Sequence, residues 1–241
     1  MGKKYYEPGE KRSAKVEELF ARIASRYDLI NDVQSFGLHR LWKRRLVRLA
    51  GPKPGERALD VCCGTGDITF ALGRLGARVV GLDFSGPMLA VAKQRIEVAS
   101  PVQFLEGDAQ HIPFSDSYFD IVTVGYGLRN LADWKAGLRE MERVARPGGR
   151  LLVLDFGKPD HALWRRLYFA YLRCAVPLLG QIFCGDAQAY AYILESLDHY
   201  PAQRGVAAQM QEMKCQDVRV INLLGGVMSI NYGRKSVVSG Q

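Results

Sequence analysis

A chain of 241 residues, 48% hydrophobic and 10% aromatic, has enough apolar side chain for a full core, which excludes a disordered or fibrous protein. Its net charge of +8 is unevenly placed: residues 1–50 hold twelve Lys or Arg against six Asp or Glu, and the remainder is nearly balanced. Five cysteines, an odd number with Cys62 and Cys63 adjacent, argue against a disulfide framework and for a reducing cytoplasm.

Residues 1–12 read as a basic tail. Ser13 caps a predicted helix whose Val16, Leu19, Phe20, Ile23 and Tyr27 recur at three- and four-residue intervals, so Tyr27 is expected to point inward. A second helix, Leu38 to Ala50, places Leu41, Trp42, Leu46 and Leu49 on one side and Arg40, Lys43, Arg44, Arg45 and Arg48 largely on the other. Gly51-Pro52-Lys53-Pro54-Gly55 then stops the helix and marks a boundary between an N-terminal cap, 1–50, and a larger domain, 51–241.

From Arg57 strands alternate with helices, the pattern of a parallel sheet covered on both faces. Strands are predicted near 57–62, 78–83, 101–106, 119–124 and 150–155, with helices near 67–76, 87–99 and 133–145. Residues 158–200 break the alternation with a helical insertion rich in Trp, Tyr, Leu and Phe. Its apolar stretch, Leu163 to Phe183, is interrupted by Arg165, Arg166 and Arg173 and falls short of a membrane span. A helix near 203–213 leads to Asp217–Leu223 and Val227–Tyr232, predicted to close the sheet as an antiparallel terminal hairpin.

The stretch Ala58 to Thr69 is an apolar strand that enters a glycine loop and leaves as a helix. Gly64 and Gly66 let the backbone approach a ligand closely. A dinucleotide fingerprint would place a third glycine at Thr69, and Asp60 and Asp67 would repel a diphosphate. The same carboxylates attract an ammonium or a sulfonium, as in S-adenosylmethionine. In an open α/β sheet the ligand lies beyond the carboxyl ends of the strands. Asp83 ends the second strand, as a partner for a ribose diol or as a helix cap; Asp108 and Ala109 follow the third, placed to read an adenine or to form a turn. Gly125-Tyr126-Gly127-Leu128-Arg129-Asn130 follows the fourth, beside the glycine loop, with Arg129 either functional or in a surface ion pair. His39, His111, His161 and His199 share no spacing and read as surface or capping residues. No Cys-x-x-Cys or histidine cluster has metal-ligand spacing, and no metal is expected.

Several longer motifs make the sequence recognisable. Phe20-Ala21-Arg22-Ile23-Ala24, Tyr27-Asp28, Asn31, Ser35 to Trp42, Cys63 to Asp67, Gly127 to Asn130, Pro147 to Arg150, Tyr190 to Tyr192, Glu195-Ser196 and Asn222 to Val227 resemble the UbiE/MenG family of S-adenosylmethionine-dependent quinone C-methyltransferases, from Ser13 to Lys235. The resemblance implies a class I methyltransferase fold: an α/β, Rossmann-like, mostly parallel seven-stranded sheet with helices on both faces, N-terminal helices and a helical lid at 158–200. It implies cofactor contacts at Thr69, Asp83, Asp108 and Ala109, joining Asp60, Gly64, Gly66 and Gly125, and substrate contacts at Tyr192 and Ser196. A polyprenylated quinol is the implied methyl acceptor, demethylmenaquinol by the form of the glycine loop, with a benzoquinol as the alternative. The chain departs from the family pattern at Asp155 and Gly157, where Glu and Ser are usual, and at Asn231, often His.

A hydroquinone carbon attacks a methyl sulfonium best when the neighbouring hydroxyl is ionised, and a phenol with a pKa near 10 is ionised in about one molecule in a thousand at pH 7. Arg129 is the candidate for stabilising that phenolate, directly or through a water, with Asn130 and Tyr27 orienting the ring. The alternative for Tyr27 is core packing. Trp164, Tyr168, Phe169, Tyr171, Leu178, Leu179, Ile182 and Phe183 are expected to line a tunnel for the tail, and the basic Leu38–Ala50 helix to rest on anionic headgroups. No nucleic-acid partner is expected, since no base-methylating motif appears; a homodimer stays open. Two rival readings remain, a nicotinamide oxidoreductase and a nucleic-acid methyltransferase or binding module.

Overall fold

The computed structural model describes residues 27–97, 100–178, 181 and 188–237, with backbone only for 27–30 and 188–193. The predicted first helix around Val16 lies outside the described residues. Two short helices, α1 (Tyr27–Ser35) and α2 (Leu38–Ala50), precede the sheet. Then come β1 (Arg57–Val61), α3 (Asp67–Gly73), β2 (Arg78–Asp83), α4 (Gly86–Gln94), β3 (Val102–Glu106), β4 (Phe119–Gly125), α5 (Trp134–Val144) and β5 (Ala145–Phe156). The insertion follows as α6 (Ala162–Ala170), a wider turn at Tyr171–Ala175 and α7 (Gln188–His199); α8 (Ala202–Glu212), β6 (Gln216–Leu223) and β7 (Met228–Arg234) complete the order.

The strands form one seven-stranded sheet in the order β3-β2-β1-β4-β5-β7-β6. The first five are parallel, and the order reverses direction between β1 and β4, so this is the switch point. That is the predicted doubly wound α/β sheet. The hairpin is present, but its second strand inserts: β7 pairs antiparallel with both β5 and β6, leaving β6 on the edge. Strand β5 begins at Ala145, earlier than expected, because an irregularity between Phe119 and Ile121 absorbs the Arg146-Pro147-Gly148-Gly149 bend and still lets Phe119 pair with Ala145. The central strands are apolar on both faces, with Leu59, Ile121, Val122, Leu151 and Leu152 fully buried.

Helix α2 keeps its predicted bounds but not its predicted sides. Leu41 is 50% exposed, whereas Lys43 turns inward onto Asp67. Leu46, Val47 and Ala50 make the buried contact, and Arg150 of β5 donates to the Ala50 and Gly51 carbonyls and pairs with Glu56. The helix is therefore fixed to the sheet, and its Lys43 reaches the glycine loop.

Candidate cofactor and acceptor site

A cavity of about 250 Å³ opens at the switch point, at the carboxyl ends of β1, β2 and β4. Six residues expected from sequence line it: Gly64, Asp83, Asp108, Ala109, Gly125 and Asn130. Asp83 is buried, and its carboxylate accepts from two backbone amides, Gly64 at 2.7 Å and Ser85 at 2.9 Å. Burial pushes its pKa up, while those two amides and that of Phe84 oppose the rise. Each carboxylate oxygen keeps a second lone pair, so the residue that shapes the glycine loop can also accept from a diol. Asp108 lies at the mouth, half-exposed, fixed by the Gln110 amide at 2.8 Å and facing His111 at 3.3 Å.

Behind the cavity wall lies a second layer. Gly66, at φ +88°, begins α3, and a Cβ there would meet Phe104 and Phe70 at 2.8 and 2.9 Å. Asp60 is almost fully buried: Thr69 donates to it at 2.6 Å and Thr123 at 2.8 Å, and burial lifts its pKa to about 6 against those bonds and Lys43. Asp60, Gly66 and Thr69 thus hold the loop from beneath and do not line the cavity. The second carboxylate expected to attract a cation, Asp67, is already engaged by Lys43 at 2.8 Å and Arg95 at 2.7 Å. Burial raises its pKa, but these two cations outweigh that and hold it at about 2. Cys62 and Cys63 are poor nucleophiles, since burial and the nearby Asp83 and Asp60 push both thiols well up.

The acceptor side departs most from expectation. Arg129 is neither on the surface nor on the cavity lining. It is 6% exposed, donates from Nη1 to the Tyr126 carbonyl, pairs with Asp155 at 3.1 Å and lies over the Phe156 ring at 4.5 Å. Its backbone amide also donates to Asp155 at 3.1 Å. Sequence reading noted Asp155 only as a departure from the family. A carboxylate ending the apolar run Leu151 to Leu154 is itself the missed signal, because a buried charge needs a partner. Asn130 donates to the Tyr126 carbonyl at 3.3 Å, so Tyr126, held at φ +63°, links the cavity wall to the ion pair.

Ser196 is buried on α7, which packs against the Leu128–Asn130 turn carrying Arg129. The side chains of Tyr27 and Tyr192 lie outside the described residues. Among the tunnel candidates Tyr168 is buried, but Trp164 and Leu178 face outward; Leu179, Ile182 and Phe183 lie outside the described residues. His161 caps α6, whereas His39 is buried against Asp32 at 2.8 Å, contrary to the surface reading. Asn231 is buried, donating to the Gln203 carbonyl at 2.8 Å, and does not line the cavity.

The description "ubiE/COQ5 methyltransferase family" matches residues 9–235. The chain belongs to that family. A ubiquinone/menaquinone biosynthesis C-methyltransferase of Ectopseudomonas mendocina is 43% identical over 235 residues, 95% of this chain and 91% of the relative. Its counterpart in Azotobacter vinelandii is 41% identical over 234 residues, 95% of this chain and 92% of the relative. A methyltransferase structure from Thermotoga maritima superposes with TM-score 0.64 at 19% identity, over 91% of this chain and 99% of that one. Another from Aquifex aeolicus gives 0.59 at 17%, over 86% and 98%. The fold is that of class I methyltransferases, and the methyl donor is S-adenosylmethionine. The nicotinamide reading falls with family membership, as does the nucleic-acid one. The donor set fits that cofactor: acceptors at Asp83 and Asp108, apolar Met88 and Leu82 between them, and a glycine at position 64 where a Cβ would come within 3.2 Å of Met88.

Proposed function

We propose that this chain methylates a ring carbon of a polyprenylated quinol in menaquinone or ubiquinone biosynthesis, with demethylmenaquinol as the acceptor. The observation that carries the reading is identity of about 40% across 95% of the chain with relatives bearing that biosynthetic name. Residues 1–50 act as a cap and 158–200 as a lid on a methyltransferase domain, 51–241. S-adenosylmethionine supplies a methyl group already activated as a sulfonium, so the protein's task is alignment and tuning of the acceptor oxygen.

Asp83 takes the ribose hydroxyls, Asp108 and the Ala109 amide read the adenine, and the Gly64–Gly66 backbone accommodates the amino-acid end. Asp60 and Thr69 contribute by holding the loop. The acceptor ring binds beyond Tyr126 and Asn130, and Ser196, Tyr192 and Tyr27 remain the candidate contacts to it that the family resemblance and the sequence name. Ionising a quinol hydroxyl at pH 7 costs about 4 kcal/mol. Because Asp155 offsets its charge and the side chain lies behind the cavity lining, Arg129 acts on the ring oxygen through an intervening water rather than as a bare cation. Hydrogen bonds to a charged oxygen contribute about 1.5–3 kcal/mol each, enough to recover much of that cost.

The test is methyl transfer by the purified protein to short-tailed demethylmenaquinol and to the corresponding benzoquinol, read by mass spectrometry. Menaquinol, formed from demethylmenaquinol by gain of one methyl group, is the expected product. Transfer to the benzoquinol alone would reassign the acceptor, and transfer to neither ring would overturn the reading. The relatives' shared name, which spans both quinones, supports the benzoquinol as the second reading.

A further inference from the structure

The insertion after β5 carries an apolar surface that is exposed among the described residues. Along 162–178, Leu163, Leu167 and Leu178 are 60%, 54% and 60% exposed, and Ala170 and Cys174 between them also face solvent. These positions recur every three or four residues and so form one outward stripe. Trp164 borders it, its indole donating to the Leu224 carbonyl at 3.1 Å, and Leu224 is itself exposed. Arg166 and Arg173, seven residues apart and both exposed, run beside the stripe. No Asp or Glu occurs between 162 and 178.

A second apolar corner adjoins the insertion. The Tyr171 hydroxyl donates to the Gln34 carbonyl at 3.0 Å, and two residues beyond Gln34 the Phe36 side chain is 76% exposed. Leu41 and the exposed Arg44, Arg45 and Arg48 continue from that corner along α2. Apolar side chains in a row, cationic neighbours, a tryptophan at the margin and no acid are the composition of a helix lying in a membrane interface.

We propose that the outward stripe of 162–178, with the Phe36 corner, docks this protein on an anionic bilayer. The proposal rests on the quinol reading for its purpose, since a polyprenylated acceptor resides in lipid and the stripe belongs to the segment beside the acceptor site. It adds the lid itself to the basic α2 helix, where sequence placed the membrane contact. Charge selects lipid over a second copy of the chain: a two-fold interface on the stripe would bring Arg166 and Arg173 against their own equivalents, with no Asp or Glu in 162–178 to meet them. An anionic headgroup satisfies those arginines while the leucines enter the acyl boundary.

The experiment is vesicle flotation of the whole protein with phosphatidylglycerol–phosphatidylcholine and pure phosphatidylcholine vesicles, at low and high salt. The wild type is expected to float with the anionic vesicles and to be released by salt. Leu163→Glu/Leu167→Glu should lower binding by about tenfold or more, and Arg166→Ala/Arg173→Ala should lower it and flatten its salt dependence. Leu75→Glu, at an exposed leucine after α3, should bind as wild type. Each variant is paired with turnover of a short-tailed quinol in solution, which should stay unchanged and certifies the fold. Undiminished flotation of the leucine variant, absence of wild-type flotation, or a wild-type dimer that the leucine variant dissolves would each overturn the proposal. Vesicle binding as expected, with no turnover on any quinol, would instead sink the functional reading and leave the docking surface standing.

Discussion

The two halves of the sheet's carboxyl edge use carboxylates in opposite ways. On the β1–β2 side, Asp60 and Asp83 are buried against hydroxyls and backbone amides, and their pKa values rise. On the β4–β5 side, Asp155 is buried against a guanidinium, which opposes the same rise. Neutral donors can shape a loop and leave acceptor capacity for a ligand. A cation pair fixes the buried guanidinium behind the Tyr126 wall of the cavity. The first arrangement suits binding, and the second suits orienting a water toward a reacting oxygen.

The largest effects should come from the ion pair. Arg129→Ala leaves Asp155 as an unpaired buried charge and is expected to lower stability by about 3–5 kcal/mol and abolish most turnover. The double variant Arg129→Met/Asp155→Leu should recover much of the stability while turnover stays lost, read by chemical denaturation and methyl transfer. If the double variant regains turnover, the arginine is structural and the contrast between the halves disappears.

Asp60 offers the next test because its sign is opposite to that of a salt-bridged acid. Its folded pKa, about 6, exceeds the unfolded value near 3.8, so it favours the folded state most below pH 3.8 and loses that contribution as pH rises through 6. Asp67, held at about 2, behaves inversely, and its contribution is lost as pH falls below 3.8. The variant Asp60→Asn should therefore gain on the wild type by on the order of 3 kcal/mol between pH 3.8 and 6. Parallel stability curves for the two proteins across that window would contradict the assignment.

A smaller effect is expected at Asp83. Asp83→Asn replaces one accepting carboxylate oxygen by an NH2 donor that faces a backbone N–H, a loss of roughly 1–3 kcal/mol. Calorimetry should record weaker S-adenosylmethionine binding, by about tenfold or more, with turnover at saturating cofactor nearly retained. A pure loss of turnover with unchanged affinity would move Asp83 from the binding half to the reacting half.

How well the sequence announces each half follows the same contrast. The glycine loop, Asp83, Asp108 and Ala109 sit in short motifs at strand ends, where chain order alone places them at the switch point. Arg129 and Asp155 are 26 residues apart and meet only because β4 and β5 pair side by side, Gly125 opposite Leu154. Lys43 was misplaced for another reason: helical periodicity assigns a side by angle, but a long side chain at the edge of a face reaches whichever carboxylate is close. Its partner Asp67 lies 24 residues away, across the domain boundary drawn at Gly51–Gly55. The fold was legible nearly throughout, because buried parallel strands leave apolar runs that need no partner to be recognised. The exception is the terminal hairpin, where the order of β7 and β6 depends on which strand finds β5.

The mildest expected effect lies at Asn231, the position where the family pattern raised the question of a histidine. The residue pairs with Val153 across the β5–β7 ladder, and its amide donates to the carbonyl of Gln203 on α8. Its contacts fasten a helix to the sheet on the far side from the glycine loop's partners. Asn231→Ala should cost about 1–3 kcal/mol through the lost buried bond and leave the KM for both substrates unchanged. A rise in the quinol KM alone would extend the acceptor half of the site to β7, and no stability loss at all would mean the Gln203 bond contributes nothing net.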